Sequence, residues 1–413
     1  MTASEQLAQF AAGSKALPKL CREYKKERAT VHLKELVGGA LSFYAAAAVA
    51  KTGGVHIFVA DDRDAAAYLL NDFYNLLDEK QVYFFPSSYK RSAAYGAEDA
   101  QGVVQRTAAM NAVRGFTKGY LVVCTYPEAL AERVVDAATL QRDTIAVKLG
   151  DKISIAVLED ALADANFTRV DFVYEPGQYS VRGGIVDVFS YSESKPYRID
   201  FFGDEVDSIR RFNISSQLSA DKLDRVEIVP NLNAGEAPRV SFVQFAGSGA
   251  TCWFYDADYV LRRVNDLRRK VLADMEDPGR IDRLLTSRNV LLRDMAGNSV
   301  VALRDNLPER PATAAVVFDT APQPKFNKNF EMLADDMIRN SLRGYATYIL
   351  SENKVQVERL ENIFHQIGRG QAAVRSLSVT LHEGFVDNDL KLCLYTDHQI
   401  FDRYQRYRIN GEI

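Results

Sequence analysis

The sequence is poor in the residues that form metal sites and disulfide bonds. Its 413 residues include only 4 cysteines and 5 histidines. The cysteines, Cys21, Cys124, Cys252 and Cys393, lie far apart and pair with no histidine at the spacing of metal ligands. His382 in LHEGF has no second histidine four positions later, which argues against a zinc-binding helix. We therefore predict reduced structural thiols, a cytoplasmic location and no metal site.

Long apolar segments and an excess of positive charge are also missing. The N-terminus, MTASEQLAQF, has no basic region and no apolar core, and the alanine-rich run after Ser42 is too short and too weakly apolar to span a bilayer. The 51 basic residues are offset by 55 acidic ones, giving a net charge of −4. The chain therefore has no global electrostatic footprint for nucleic acid, and we expect no membrane contact.

The first third of the chain alternates helical patterns with short apolar strands. The strand-like runs are VHIFVAD (55–61), QVYFFPS (81–87) and YLVVCTY (120–126), and this alternation is typical of a parallel sheet covered by helices. From about Ile145 the pattern changes to a helix and three strand-like runs broken by turn residues, which predicts a small antiparallel insert. A proline-containing stretch at 310–329 indicates a boundary before a last, compact α/β unit.

The glycine pair before the alanine-rich run resembles the start of a nucleotide-binding unit. A phosphate-binding loop needs G-x-x-x-x-G-K-[ST], because the lysine neutralises phosphate charge and the hydroxyl holds magnesium. With Gly38 as the first glycine, Phe43, Tyr44 and Ala45 stand where the second glycine, the lysine and the hydroxyl belong. A triphosphate would lose its strongest charge-assisted contacts there. We therefore predict a degenerate, inactive site that binds neither ATP nor Mg²⁺.

The stretch 173–217 closely resembles one family. Its segments PGQYSVRGGIVDVF, PYRIDFFGDE and SIRRF follow one another in the order and spacing of the N-terminal, UvrB-homologous module of the Mfd-type transcription-repair coupling factors. The likeness continues in the loop at Gly38, in FFPSSYKR (84–91) and in LHEGFVDNDLKLCLYTDHQIFDRYQR (381–406), so it covers essentially the whole chain.

The resemblance implies an α/β multidomain fold. It comprises a degenerate P-loop or RecA-like parallel core as in UvrB, an inserted α+β domain with an antiparallel sheet, and a small C-terminal α/β domain. The implied parts are 1–142, UvrB-like domain 1a; 143–231, the UvrA-binding domain 2; 232–319, UvrB-like domain 1b; and 320–413, the small α/β domain. Family members continue into an RNA-polymerase-binding domain and a DNA-translocating ATPase motor. We therefore expect this chain to be the N-terminal part of a longer protein.

For the insert, the resemblance implies binding to the repair protein UvrA, through Arg182, Arg198 and Phe202. If SYSESK forms the hairpin turn, Arg182 comes opposite the Phe202 end of the next strand, so the three residues cluster. The alternative is an ordinary solvated sheet on which Arg198 pairs with Asp200 or Asp187, since surface ion pairs are common and weak.

The residues of the strand PYRIDFF (196–202) indicate the same surface without the resemblance. Alternate side chains of a strand point to opposite faces. This period places Ile199 and Phe201 on the core face, and Arg198 and Phe202 on the solvated face. An exposed aromatic residue beside an arginine is a combination that is enriched at interface hot spots.

We therefore expect a non-catalytic adaptor that recruits UvrA to stalled transcription complexes in nucleotide excision repair. The competing enzyme hypothesis is a UvrB-like or helicase-like ATPase that binds damaged DNA. Residues 43–45 argue against it, as does a hairpin region in which only Tyr89 and Tyr95 remain of the tyrosines with which UvrB grips DNA. A third hypothesis is a structural role that covers the motor. The resemblance implies contacts with RNA polymerase and DNA through the missing C-terminal part, whose last domain masks the UvrA-binding face.

Overall fold

The computed structural model describes residues 1–89 and 98–410, so Tyr95 lies outside the described residues. Strands and helices are numbered in chain order. The strands are β1 (Thr30–Lys34), β2 (Gly54–Val59), β3 (Val82–Phe84), β4 (Tyr120–Thr125), β5 (Val134–Val135), β6 (Ile145–Lys148), β7 (Thr168–Arg169), β8 (Gln178–Arg182), β9 (Ile185–Val188), β10 (Tyr197–Phe202), β11 (Glu205–Phe212), β12 (Ser219–Leu223), β13 (Arg225–Ile228), β14 (Arg239–Val240), β15 (Thr251–Phe254), β16 (Val300–Ala302), β17 (Ala314–Val317), β18 (Thr320–Pro322), β19 (Ala346–Leu350), β20 (Ser376–Leu377), β21 (Phe385–Asp387) and β22 (Leu392–Thr396).

The helices surround these strands. They are α1 (Ala3–Ala12), α2 (Leu17–Tyr24), α3 (Ala40–Thr52), α4 (Arg63–Leu76), α5 (Ala100–Gly115), α6 (Pro127–Ala131), α7 (Ala137–Asp143), α8 (Ile155–Asp164), α9 (Phe242–Ala246), α10 (Ala257–Asp274), α11 (Ile281–Leu284), α12 (Arg288–Asp294), α13 (Phe330–Leu342), α14 (Lys354–Gln366) and α15 (Asp397–Ile400). Across the described ranges, no helix is both long and apolar enough to cross a membrane.

Within the described residues, seven parallel strands form the largest sheet, in the order β17-β1-β16-β15-β2-β4-β3. In β2, Ile57, Phe58 and Val59 are buried one after another rather than alternately, as expected for a parallel strand covered on both faces. The predicted parallel α/β layer is therefore confirmed. The chain leaves this sheet after β4 and returns to it with β15.

The segment between those two strands contains a six-stranded sheet in the order β12-β11-β10-β9-β8-β7, as far as the described residues show. Its pairs are antiparallel except for the short pair β7 and β8. One face packs against α8, where Leu158 and Leu162 join Val186, Ile199 and Ile209 in a small core of its own. This arrangement confirms the predicted antiparallel insert.

The last unit is a mixed sheet in the order β18-β21-β22-β19-β20. Alternate residues of β22 serve two different cores: Leu392 and Leu394 face the main body, whereas Cys393 and Tyr395 pack with α13 and α14. Through Leu392 and Leu394 the C-terminal unit joins the main hydrophobic core. No finding tests the exact limits of the four predicted parts, and these limits stay predictions.

The four cysteines are buried and carry free thiols. Burial raises the pKa of the Cys252 thiol to about 12, so it is neutral at physiological pH. Among the described residues, no cluster of three or more histidine, cysteine, aspartate or glutamate side chains is placed to hold a metal ion.

Candidate protein-binding face of the insert

The antiparallel sheet of the insert has one apolar and one polar face. The strand register places equivalent residues side by side across the sheet, so each row of paired residues lies on the same face. One such row crosses five strands on the side away from α8. We call this side the polar face, and the row consists of Ser180, Asp187, Arg198, Arg210 and Lys222.

Asp187 in β9 holds two of the predicted site residues together. Arg198 binds it with two bonds, from Nε to Oδ1 at 2.8 Å and from Nη2 to Oδ2 at 2.9 Å. Arg182 donates from Nη2 to the same Oδ2 at 2.7 Å. The Asp187 side chain is buried, and its hydrogen bonds raise the pKa of Arg198 above the usual value. The carboxylate therefore fixes the relative positions of two guanidinium groups.

The prediction that Arg198 lies on a solvated face is wrong for most of its side chain. Only 13% of that side chain is exposed, because the guanidinium stacks on the Phe212 ring, 4.2 Å from its centre, and bonds to the buried Asp187. The alternative pairing with Asp187 is the one observed, and Asp200 pairs with Arg210 instead. The sequence pattern gave the correct face, but neighbouring strands cover the arginine that lies on it.

Phe202 and Arg182 are more accessible. Phe202 ends β10 with 82% of its surface exposed, whereas Ile199 on the opposite face is fully buried, as the two-residue period predicts. The side chain of Arg182 is 40% exposed, and its guanidinium lies 4.8 Å from the centre of the Phe172 ring. The backbone N–H of Phe201 donates to Gly184 in the turn after Arg182, which places Arg182 and Phe202 at the same end of the sheet.

Sequence reasoning missed several exposed apolar residues of the insert. Phe172, Tyr174 and Leu218 are 50%, 65% and 70% exposed. Leu218 follows Gln217, whose side-chain oxygen accepts a bond from Arg198, so it borders the polar face. A signal was available in the sequence. Leu218 is a large apolar residue within a polar turn, and Phe172 and Tyr174 shortly precede a Pro-Gly pair, where packing in a core is not expected.

The residues of the degenerate phosphate loop lie in the main body rather than on the polar face. Gly38 adopts a positive φ of 58° in the turn before α3. Phe43, Tyr44 and Ala45 follow in the first turns of that helix and are almost completely buried. The structure therefore brings Arg182 and Arg198 together around Asp187, places Phe202 at the same end of the sheet as Arg182, and keeps the degenerate loop separate.

Comparison with known proteins also distinguishes the insert from the main body. Residues 145–233 match the model of a family described as the UvrB interaction domain, which spans the whole polar face. The insert is thus similar to modules of the UvrB-interaction class. The chain is 27% identical over 199 residues to the transcription-repair-coupling factor of Bacillus subtilis (strain 168) and to that of Escherichia coli (strain K12). It is 35% identical over 101 residues to the factor of Haemophilus influenzae.

These alignments cover 48%, 48% and 24% of this chain, but only 17%, 17% and 9% of the relatives' own length. The chain thus spans a small part of the curated relatives that it matches. The predicted resemblance to the UvrB-homologous module of Mfd-type factors is thereby confirmed: residues 145–233 match the UvrB interaction domain, and the relatives that the chain matches are transcription-repair-coupling factors.

Proposed function

We propose that this chain is a non-catalytic adaptor that recruits UvrA to stalled transcription complexes in nucleotide excision repair, and that UvrA binds the polar face of the insert. The observation that carries this proposal is the arrangement around Asp187. Two arginines are held by one buried carboxylate, and the exposed aromatic side chain of Phe202 lies at the same end of the sheet as Arg182. This arrangement lies within the residues that match the UvrB interaction domain.

The chemistry of the face indicates the kind of surface that it binds. Side chains of this face include four cations and three carboxylates, so cations outnumber carboxylates by one; they are Arg182, Arg198, Arg210, Lys222, Asp187, Asp200 and Glu205, which pairs with Phe202. We therefore expect an acidic patch on UvrA, with an apolar pocket for Phe202. Arginines and aromatics are enriched among the residues that dominate binding energy at interfaces.

Pre-organisation supports the same proposal. Arginine is rich in rotamers, and fixing a free side chain at an interface costs about 0.5–1.5 kcal/mol. Asp187 already restricts both Arg182 and Arg198 before a partner arrives. The entropy that these two side chains lose on binding is therefore small.

The remaining parts of the proposal concern the core and the parent protein. We infer that the seven-stranded sheet is a UvrB-like, P-loop or RecA-like core without nucleotide chemistry, which the side chains at 43–45 support. RNA polymerase and DNA would be bound by parts of the parent protein outside this chain. A C-terminal domain of that parent would mask the polar face in the resting state, and the protein would act in the cytoplasm.

Binding to purified UvrA, measured by biolayer interferometry, tests the proposal. We expect Phe202→Ala to weaken binding about thirtyfold, the effect of losing roughly 2 kcal/mol from an interface hot spot. Arg182→Ala should weaken it about tenfold or more. Leu342→Ala is the matched control, because Leu342 is 85% exposed but lies at the end of α13 in the C-terminal unit.

Equal affinities of the parent chain and Phe202→Ala would contradict the proposed binding face. Complete absence of binding by the unsubstituted chain would contradict the adaptor function itself. Melting temperatures of all variants are measured in parallel, so that loss of binding can be separated from loss of structure.

A further inference from the structure

A loop of the C-terminal unit fills the space above the glycine pair of the degenerate site. A Cβ atom on Gly39 would stand 2.0 Å from the carbonyl oxygen of Glu383, far inside van der Waals contact. A Cβ on Gly38 would stand 3.0 Å from the carbonyl oxygen of Gly384. In a working phosphate loop, this backbone approaches a ligand. Here it approaches another part of the same chain.

The side chains that replace the lysine and the second glycine contact the same unit. The hydroxyl of Tyr44 donates a hydrogen bond to the carboxylate of Asp387. The ring of Phe43 packs 5.2 Å from that of Phe385, centre to centre, and Tyr44 packs 4.6 Å from Phe318. Both substituting residues thus contact the C-terminal unit, Phe43 at Phe385 and Tyr44 at Asp387, and Tyr44 also packs on Phe318 just before that unit.

A buried carboxylate fastens the loop from the other side. Asp72 in α4 accepts a hydrogen bond from the hydroxyl of Ser42 at 2.7 Å and another from the backbone N–H of His382 at 2.8 Å. It therefore connects the first turn of α3, the helix α4 and the loop 381–384. The loop is held by backbone packing, by aromatic contacts and by hydrogen bonds on both sides of the glycine pair.

These residues do not fit a nucleotide. The positions of the lysine and the hydroxyl carry Tyr44 and Ala45, and peptide oxygens lie against the glycine pair. A carboxylate oxygen of Glu383 also lies 3.6 Å from the Cβ position of Gly38. Oxygen atoms and negative charge at this place oppose a phosphate group. These oxygens belong to Glu383 and Gly384, so the glycine pair accommodates the loop 381–387 in place of a ligand.

We propose that the former nucleotide position is an intramolecular docking site for residues 381–387, and that Gly39 and Tyr44 serve to seat the C-terminal unit on the parallel sheet. The substitutions that remove nucleotide binding thereby also provide contacts that attach the C-terminal unit to the parallel sheet. This role is independent of UvrA binding, because it involves none of the residues of the polar face.

Hydrogen–deuterium exchange of the whole chain tests the proposal. Gly39 has a φ of −66°, which alanine adopts without strain, so Gly39→Ala perturbs chiefly the contact with Glu383. We expect amide exchange in residues 381–387 to rise at least tenfold, while amides of β2 and β4 stay protected. Gly115→Ala is the matched control, because a Cβ at this helix end meets no atom within 4 Å.

Tyr44→Phe provides a second, milder perturbation that keeps the ring. It removes one hydrogen bond to Asp387 and should raise exchange near residues 385–390 about tenfold. Tyr24→Phe removes a comparable bond to Thr52 at the opposite end of α3 and should leave these amides unchanged. Unaltered exchange of 381–387 in both Gly39→Ala and Tyr44→Phe, or an equal rise in β2 and β4, would overturn the proposal.

Discussion

Replacing Asp72 by asparagine should change how the stability of the chain depends on pH. Burial in α4 raises the pKa of the Asp72 carboxyl to about 7, although its bonds to Ser42 and His382 oppose this shift and the charge of Glu383 adds to it. Its other titratable neighbours are Cys124 and Tyr255. Burial raises the pKa of both groups, so they stay neutral in the range of the experiment.

The sign follows from proton linkage. Between an unfolded pKa of about 4 and the folded value of about 7, the folded chain holds a proton on Asp72 that the unfolded chain has lost. Stability from this group is therefore greatest at low pH and falls as pH rises through this window. Linkage gives a loss on the order of 3 kcal/mol between about pH 5 and 8 for a single group with these pKa values.

Asparagine can replace Asp72 in these hydrogen bonds, and its side chain does not titrate. Its amide oxygen can accept the backbone N–H of His382, and its amide nitrogen can donate to the hydroxyl of Ser42. The single proton of that hydroxyl can then be donated to the carbonyl of Gly39, which lies 3.1 Å away, so the hydroxyl keeps a partner for its proton when it accepts. The stability of Asp72→Asn relative to the parent chain should therefore rise by about 3 kcal/mol between about pH 5 and 8.

Denaturant unfolding at several pH values measures this difference. Trp253, the one tryptophan of the chain, lies buried in β15 and reports on the parallel sheet. Its indole N–H bonds to His56, but burial lowers the pKa of that histidine to about 4, so the probe does not titrate between about pH 5 and 8. Parallel stability profiles for the parent and Asp72→Asn would refute the linkage argument, whatever their absolute values.

Three further predictions concern the insert and nucleic acid. Arg198→Ala should destabilise the chain by about 2–4 kcal/mol in denaturant unfolding, because it leaves the buried Asp187 with Arg182 as its remaining cation. Phe202→Ala should change the stability by about half a kcal/mol or less, because the Phe202 side chain is exposed. Phe201→Ala should cost roughly 2 kcal/mol by opening a partial cavity in the core of the insert, and a loss as small as that of Phe202→Ala would mean that the faces are reversed. With a net charge of −4, the chain should bind duplex DNA weakly and without lesion preference in gel shifts at physiological salt; tight, lesion-selective complexes would favour the enzyme hypothesis.

Local patterns were sufficient where the structure depends on local geometry. The two-residue period of β10 predicted that Ile199 is buried and Phe202 exposed, because the alternation of side chains is a property of one strand. The strands β2, β3 and β4 were recognisable from continuous apolar runs. The burial of Arg198 was not, because it depends on Asp187 and Phe212, which are supplied by neighbouring strands.

Long-range pairing explains what sequence patterns missed. Two strands of the parallel sheet were not predicted: β16, which has three residues, and β17, which lies in a proline-containing stretch that indicated a boundary. In the structure both strands pair with β1, and β16 also pairs with β15. The contact between Asp72 and His382 likewise joins residues 310 positions apart. No periodicity encodes such a contact, so the docking of the loop 381–387 became visible only in three dimensions.

The strand order of the parallel sheet determines how much of the chain must be synthesised before this sheet can form. Both neighbours of β1 come from the far end of the core: Thr30 pairs with Val300, and Val31 with Ala314. At about 5–20 residues per second, a ribosome needs on the order of ten seconds to a minute to reach them. The sheet of the insert instead takes all its strands from residues 168–223 and can close during that interval. In a growing chain, the surface proposed to bind UvrA can therefore form before the parallel sheet is complete.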